Sequence, residues 1–108
     1  MARTPKRLAG PAQVSNAAAT KYTVPASTKT VIRNIHVQNP SGSTVNFTLS
    51  IGADAAGTRL FDAYAIAAGT VLNHFCYIVV DAAEIVQALG STNNILTLTI
   101  DGDEITLG

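Results

Sequence analysis

The sequence predicts an all-β fold: a single small antiparallel β-sandwich, jelly-roll-like, with an extended N-terminal arm. Three features lead to this prediction. The 108 residues, 47% of them hydrophobic, are enough for one modest core. Short segments alternate polar and apolar residues, as in TVNFTLSI at 44–51, where every odd position is apolar. Turn-forming residues separate these segments roughly every ten residues, which is typical of sandwiches and barrels.

The chain is predicted to divide after residue 19. Residues 1–19 carry Pro5, Gly10 and Pro11, three basic residues and a run of alanines, and they sustain no period of 2 or 3.6. We therefore predict a basic, extended N-terminal arm over 1–19, with room for a short strand near 12–15, followed by the β-sandwich domain over 20–108.

Within the sandwich, the apolar alternation and the turn residues locate the strands. Strands are predicted over 20–24, 30–38, 44–51, 59–62, 64–67, 71–80, 85–89, 95–100 and 104–107. The segment Asn-Pro-Ser-Gly-Ser at 39–43 predicts a hairpin, and Asp101-Gly102 predicts a second one through a type I′ turn. The strand over 71–80 is apolar on both faces, which suits the middle of a sandwich. The residues at 81–84 are predicted to form a turn rather than a helical turn.

Composition excludes several classes of protein. The single cysteine, Cys76, rules out an internal disulfide within these residues. The apolar run at 75–80 is too short to cross a membrane, and the basic N-terminus lacks the apolar region of a signal peptide. Synthesis and retention in a cytoplasm are therefore expected, apart from export inside a larger particle.

No pattern of catalytic or metal-binding residues emerges. His74 and Cys76 share one strand face, but no second ligand pair with zinc spacing exists. Asp101, Asp103 and Glu104 are expected on a solvated hairpin too tight to wrap calcium. The glycine-containing loop at 52–57 has no lysine to cradle a phosphate. We predict no catalytic residue, metal site or cofactor.

The charges are segregated along the chain. Six basic residues precede the first acidic residue, Asp54, and all seven acidic residues follow with only Arg59 among them. Two copies can meet head to tail across this asymmetry, the arm can lie on an acidic neighbour, or folding can mix the two halves in space. The basic arm has no interleaved aromatic residues, which argues against nucleic acid as its partner.

Several strand and turn segments together resemble a known family. These are YTVPA at 22–26, VIRNIHV at 31–37, FTLSIG at 47–52, RLF at 59–61, IAAG at 66–69 and EIVQA at 84–88. They are similar to small structural proteins of tailed bacteriophages, particularly phages of actinobacteria, described as minor tail or head accessory proteins. The likeness covers roughly residues 22–107.

The resemblance implies a non-enzymatic virion component, made in the host cytoplasm. Its expected partners are other virion proteins, of the tail or the major capsid, and copies of itself around a symmetric axis, with a trimer as one option. A minor tail or tail-tip protein is the first expectation and a capsid decoration protein the alternative. A host-surface carbohydrate-binding module is a further alternative, which the absence of tryptophan argues against.

Two groups of residues are expected to contact partners. In the arm these are Arg3, Lys6, Arg7 and Leu8, so that deleting residues 1–11 is expected to leave a folded domain that fails to join the particle. In the sandwich, Arg33 interrupts the face that carries Val31, Ile35 and Val37. It is expected to pair with an acid of a neighbouring strand or subunit, or to reach water from a sheet edge.

Overall fold

Residues 2–106 are described by the structure, a computed structural model, and they form eight β-strands. The strands are β1 (Ala2–Gln13), β2 (Ala19–Thr23), β3 (Thr28–Gln38), β4 (Val45–Ile51), β5 (Arg59–Ile66), β6 (Val71–Val80), β7 (Ile85–Gly90) and β8 (Thr97–Thr106). The bounds of β6 are those predicted, and β2, β3, β4 and β7 differ from the predictions by one or two residues at an end. The predicted turn at 81–84 is confirmed, because the Glu84 amide donates to the Asp81 carbonyl at 3.1 Å.

The strands make two antiparallel sheets of four, in the orders β1-β8-β3-β6 and β2-β7-β4-β5. The first strand pairs with the last, the second with the seventh, the third with the sixth and the fourth with the fifth. A long antiparallel ribbon rolled in this way is an eight-stranded jelly roll. The all-β class and the β-sandwich are therefore confirmed, and the strand order makes it a jelly roll.

The core lies between the two sheets. Its largest fully buried side chains include Phe47, Ile32, Ile35, Leu49, Leu96, Leu98 and Ile100. The predicted inward faces of the strands over 44–51 and 95–100 are confirmed by these positions. Burying each large apolar side chain contributes roughly 1.5–3 kcal/mol to stability, so the seven are a main source of the fold's stability.

The N-terminal segment differs from its prediction. Residues 2–13 are not a separate arm but β1, an edge strand of the first sheet along β8. Leu8 is buried against the core, and the Val14 amide donates to the Leu96 carbonyl at 3.0 Å. The boundary predicted after residue 19 is therefore not a structural one, and deletion of residues 1–11 removes a strand rather than a tail.

The predicted hairpin at Asp101-Gly102 is wrong, because β8 runs straight through it. β8 is a central strand with β1 on one side and β3 on the other. A Cβ on Gly102 would lie 2.0 Å from the carbonyl oxygen of Val31. Glycine is thus required at position 102 because the backbone of β3 approaches β8 too closely for any side chain. Leu107, the end of the predicted last strand, lies outside the described residues.

The predicted hairpin at 39–43 is also wrong, since β3 and β4 belong to different sheets. The turn carries the chain across the sandwich and is held by the buried side chain of Asn39. Its amide nitrogen donates to the carbonyls of Ser43 at 2.9 Å and Ile66 at 2.8 Å, and its oxygen accepts from Ser41. The turn residues were informative about a reversal of direction but not about which sheet the chain enters.

The polar face of β4 holds neighbouring segments in place. Thr48 accepts a hydrogen bond from the Ala63 amide at 3.0 Å, where β5 bulges, and Ser50 donates to Asp54 at 2.8 Å. Ala63 has a positive φ of 49°, and β5 continues through it, so the two short strands predicted at 59–62 and 64–67 are one bulged strand.

Candidate interaction surface

Strand β6 carries an apolar surface that the fold leaves uncovered. Within the described residues β6 pairs only with β3, so it is an edge strand and not the central strand predicted from its composition. Its outward side chains have large exposed fractions: Phe75 79%, Tyr77 70%, Val79 47% and Val71 46%. We call these four residues the β6 surface. Neighbouring apolar side chains exposed in this way commonly mark sites of protein contact.

The opposite face of β6 packs toward the core. His74 stacks edge-on against Phe61 of β5, with ring centroids 5.0 Å apart and ring planes at 84°. The Cys76 thiol donates to the Ile32 carbonyl at 3.4 Å, and burial raises the pKa of this thiol. A raised pKa disfavours the reactive thiolate, so Cys76 acts here as a packing residue. His74 is also a packing residue, through its contact with Phe61.

The apolar surface continues onto β5, the edge strand of the other sheet. Tyr64 is half-exposed, and its ring packs edge-on against Phe61 with centroids 5.6 Å apart. Tyr64 also lines the same surface depression as Val71 and Leu72 at the turn between β5 and β6. The two edge strands on this side of the sandwich therefore present aromatic and aliphatic groups together.

The arm residues predicted to contact a partner have partners within the chain. Arg3 forms a salt bridge to Asp103 at 2.6 Å, and Lys6 forms one to Glu104 at 3.2 Å. Leu8 is buried, whereas Arg7 is exposed and lies opposite Asp101 in the strand register. Contact of these residues with another subunit stays a prediction.

Arg33 does not lie on the inward face, where it was predicted. The register of β3 shifts between Ile32 and Asn34, which makes Arg33 the extra residue of a bulge and turns Ile32 inward. Arg33 is half-exposed and reaches Asp103 of the adjacent strand at 3.2 Å. The expected acid on a neighbouring strand is therefore present, and an ion pair to another subunit stays a prediction.

Asp103 is the centre of this charged cluster on the outer face of the first sheet. Hydrogen bonding to Arg3, aided by the charge of Arg33, lowers the pKa of the Asp103 carboxyl against the opposing effect of desolvation. Asp103 and Glu104 point to opposite faces of β8, so the predicted solvated acidic hairpin is replaced by two separate pairings.

Glu104 belongs to a polar contact between the two sheets. The Tyr22 hydroxyl lies 2.8 Å from the Thr30 hydroxyl and donates to the Glu104 carboxylate. Burial, and after it the hydrogen bond to Glu104, raises the pKa of Tyr22 to about 12. These contacts hold β2 against β3 and β8, which gives both residues a structural role.

Within residues 2–106, no group of three or more His, Cys, Asp or Glu side chains is placed to hold a metal ion. The same residues contain no helix that is long and apolar enough to span a membrane.

The β6 surface was missed at the sequence level, although its signal was present. The run at 71–80 is apolar at consecutive positions, which is equally typical of a central strand and of an edge strand that binds a partner. Burial in the sheet was the default interpretation. Only the strand order, which places β6 at an edge, distinguishes the two.

Comparison with known proteins gives a fold and no family. No protein-family model and no curated protein matches the chain. A chain from the structure of Bacillus endospore appendages, a family of disulfide-linked pili, is similar with a TM-score of 0.58 and 15% sequence identity. The match covers 98% of this chain and 89% of that chain. At this identity the likeness supports the β-sandwich fold alone.

Proposed function

We propose that this chain is a non-enzymatic structural subunit of a tailed-phage virion, specifically a minor tail or tail-tip protein. The observation that carries the proposal is the β6 surface, because two large aromatic side chains stand more than two-thirds exposed on an edge strand. Aromatic residues are enriched at protein interfaces. The resemblance of the strand and turn segments to phage structural proteins supports the virion as the setting.

The chemistry of the polar groups also favours a structural role. The reactive candidates are engaged in contacts that hold the fold: Cys76 with the Ile32 carbonyl, and Asp103 with two arginines. The same architecture occurs in the Bacillus appendage chain, where it serves in pili. Those pili are disulfide-linked, whereas the single cysteine in these 108 residues can form at most one disulfide. A polymer linked by disulfides needs two cysteines in each chain, so a polymer of these residues depends on non-covalent contacts.

Quantitative mass spectrometry and cryo-EM of purified virions test the proposal. A minor tail protein is expected in few copies, with density confined to the tail. Many copies spread over the head would support the alternative, a capsid decoration protein. Absence from the particle contradicts both structural roles. Saturable binding to host-surface glycans that is lost in a Tyr77→Ala variant would support the carbohydrate-binding alternative instead.

A further inference from the structure

The four sheet edges of the sandwich differ in how they are protected. Exposed edge strands pair readily with other strands, and proteins block them with charges, prolines, bulges or short length. β1 has Pro5 and Pro11, three basic residues and two register shifts. β2 has only five residues, one of them Lys21, and a register shift. β5 carries Arg59 and Asp62 and bulges at Ala63.

The β6 edge has only one of these protections, a single bulge. Its ten residues contain no proline and no Lys, Arg, Asp or Glu. Its pairing with β3 has one register shift, where Cys76 and Tyr77 of β6 lie opposite Arg33 alone, so the bulge in this pair lies on β6. β6 is therefore a long, uncharged edge strand whose outer face is apolar except at Asn73, a combination that favours addition of another strand.

We infer that two copies of this chain associate through antiparallel pairing of β6 with β6 of the second copy, about a two-fold axis. This joins the two first sheets into one continuous sheet and places the two β6 surfaces side by side. The inference rests on the proposed function, because it names a second copy of the chain as the partner that binds the β6 surface.

Charge selects the second copy's β6 over its other edges. An uncharged strand opposite an identical uncharged strand leaves no charge to be desolvated and no like charges facing each other. Pairing with β1 of a second copy would instead place Arg3, Lys6 and Arg7 at the contact with no acidic residue on β6 to receive them. An isologous two-fold contact is also the commonest kind among homo-oligomers.

The available area agrees with a modest dimer. Phe75 and Tyr77 expose roughly 300 Å² per chain, given that an aromatic side chain buries about 150–250 Å² in full. Two copies thus contribute at most roughly 600 Å², about half of the lower limit for a stable interface, because rings that lie side by side bury only their facing flanks. Val71, Val79 and the paired backbones add to this area, so weak, reversible association is expected.

Sedimentation equilibrium of the purified chain tests the inference. The wild type is expected to show a reversible monomer–dimer equilibrium with a limiting mass of twice 11.2 kDa. With the two-fold axis near Phe75, at the middle of β6, Phe75→Lys places two like charges close together and is expected to weaken association at least tenfold. The control Thr23→Lys adds the same charge at an exposed position of β2 and is expected to change association less than twofold. Circular dichroism should show that both variants keep the wild-type fold.

Mixing variants identifies the partner as a second copy. An equimolar mixture of Phe75→Lys and Phe75→Glu is expected to recover association, because opposite charges then face each other. The inference is overturned if the wild type remains monomeric at millimolar concentration, or if it forms a trimer or an open polymer. Association of Phe75→Lys as tight as that of the wild type also overturns it. The virion experiment is independent of this result: a dimer missing from virions refutes the proposed function alone, and a monomer found in virions refutes the dimer alone.

Discussion

At the scale of single residues, Asp103 couples the stability of the sandwich to pH. Its carboxylate is shared by Arg3 of β1 and Arg33 of β3, the two strands that flank β8. Because these contacts lower the pKa of the folded carboxyl, the stability they contribute is present above the unfolded pKa near 4 and is lost as pH falls through the folded value.

An Asp103→Asn variant is therefore expected to be less stable than the wild type at pH 7, because Arg3 and Arg33 are left without their carboxylate. The difference in free energy of unfolding should stay constant from pH 8 to pH 5 and shrink below about pH 4. Urea unfolding of both proteins across this range measures it. A difference that persists unchanged at pH 2 would show that the loss does not come from the charge.

Gly102 is a second residue whose identity the structure explains. A Gly102→Ala variant forces the backbones of β8 and β3 apart, because the new Cβ would lie 2.0 Å from the Val31 carbonyl oxygen. We expect a loss of stability at or above the upper end of the ~1–3 kcal/mol typical of overpacking. Gly42→Ala is the matched control, since a Cβ there meets no atom within 4 Å. Equal urea midpoints for the two variants would contradict the close approach.

At the scale of secondary-structure elements, β1 is expected to be necessary for folding. It covers one edge of β8, buries Leu8 and supplies Arg3 to Asp103. Removing residues 1–11 exposes one edge of β8, which is a central strand in the intact sandwich.

The truncated chain is expected to lose cooperative thermal unfolding and to aggregate, as followed by circular dichroism and light scattering. Full-length chain with Arg7→Ala is the control, because Arg7 is exposed and the strand remains. A truncated chain that stays monomeric and unfolds cooperatively would restore the prediction made from the sequence, in which these residues are a separate arm.

At the scale of the whole molecule, folding neutralises the charge segregation along the chain. Of the alternatives left open by the sequence, mixing of the halves is what the structure shows. Basic residues of the first half meet acids of the second in four salt bridges: Arg3–Asp103, Arg33–Asp103, Lys6–Glu104 and Lys29–Asp81. Little of the asymmetry is left over to draw two copies together head to tail.

Self-association is consequently expected to be insensitive to salt. Raising NaCl from 0.05 to about 0.5 M, which shortens the screening length severalfold, should change the dimer dissociation constant less than threefold. Sulfate at matched ionic strength should strengthen association, since it favours burial of apolar surface. Association that weakens tenfold with NaCl would assign the contact to the charged residues of β1 instead of the β6 surface.

The elements that depend on local patterns of residues could be predicted from the amino-acid sequence. The all-β class and the inward faces of β4 and β8 follow from the two-residue period of a strand, which needs no knowledge of its neighbours. The bounds of β6 follow from its apolar run and the turn residues on either side. The turn at 81–84 was likewise predictable, because two hydrogen bonds between Asp81 and Glu84 are made within the turn itself.

Which strands are neighbours, in contrast, could not be predicted from local patterns. The same Asp-Gly pair that ends a strand in a hairpin lies inside β8, because β1 and β3 both approach Gly102. The apolar run of β6 predicts a buried central strand until the sheet order places it at an edge. Pairing between strands far apart in the chain depends on all of the strands at once. Local patterns of residues therefore do not predict the position of β1 or the exposure of the β6 surface.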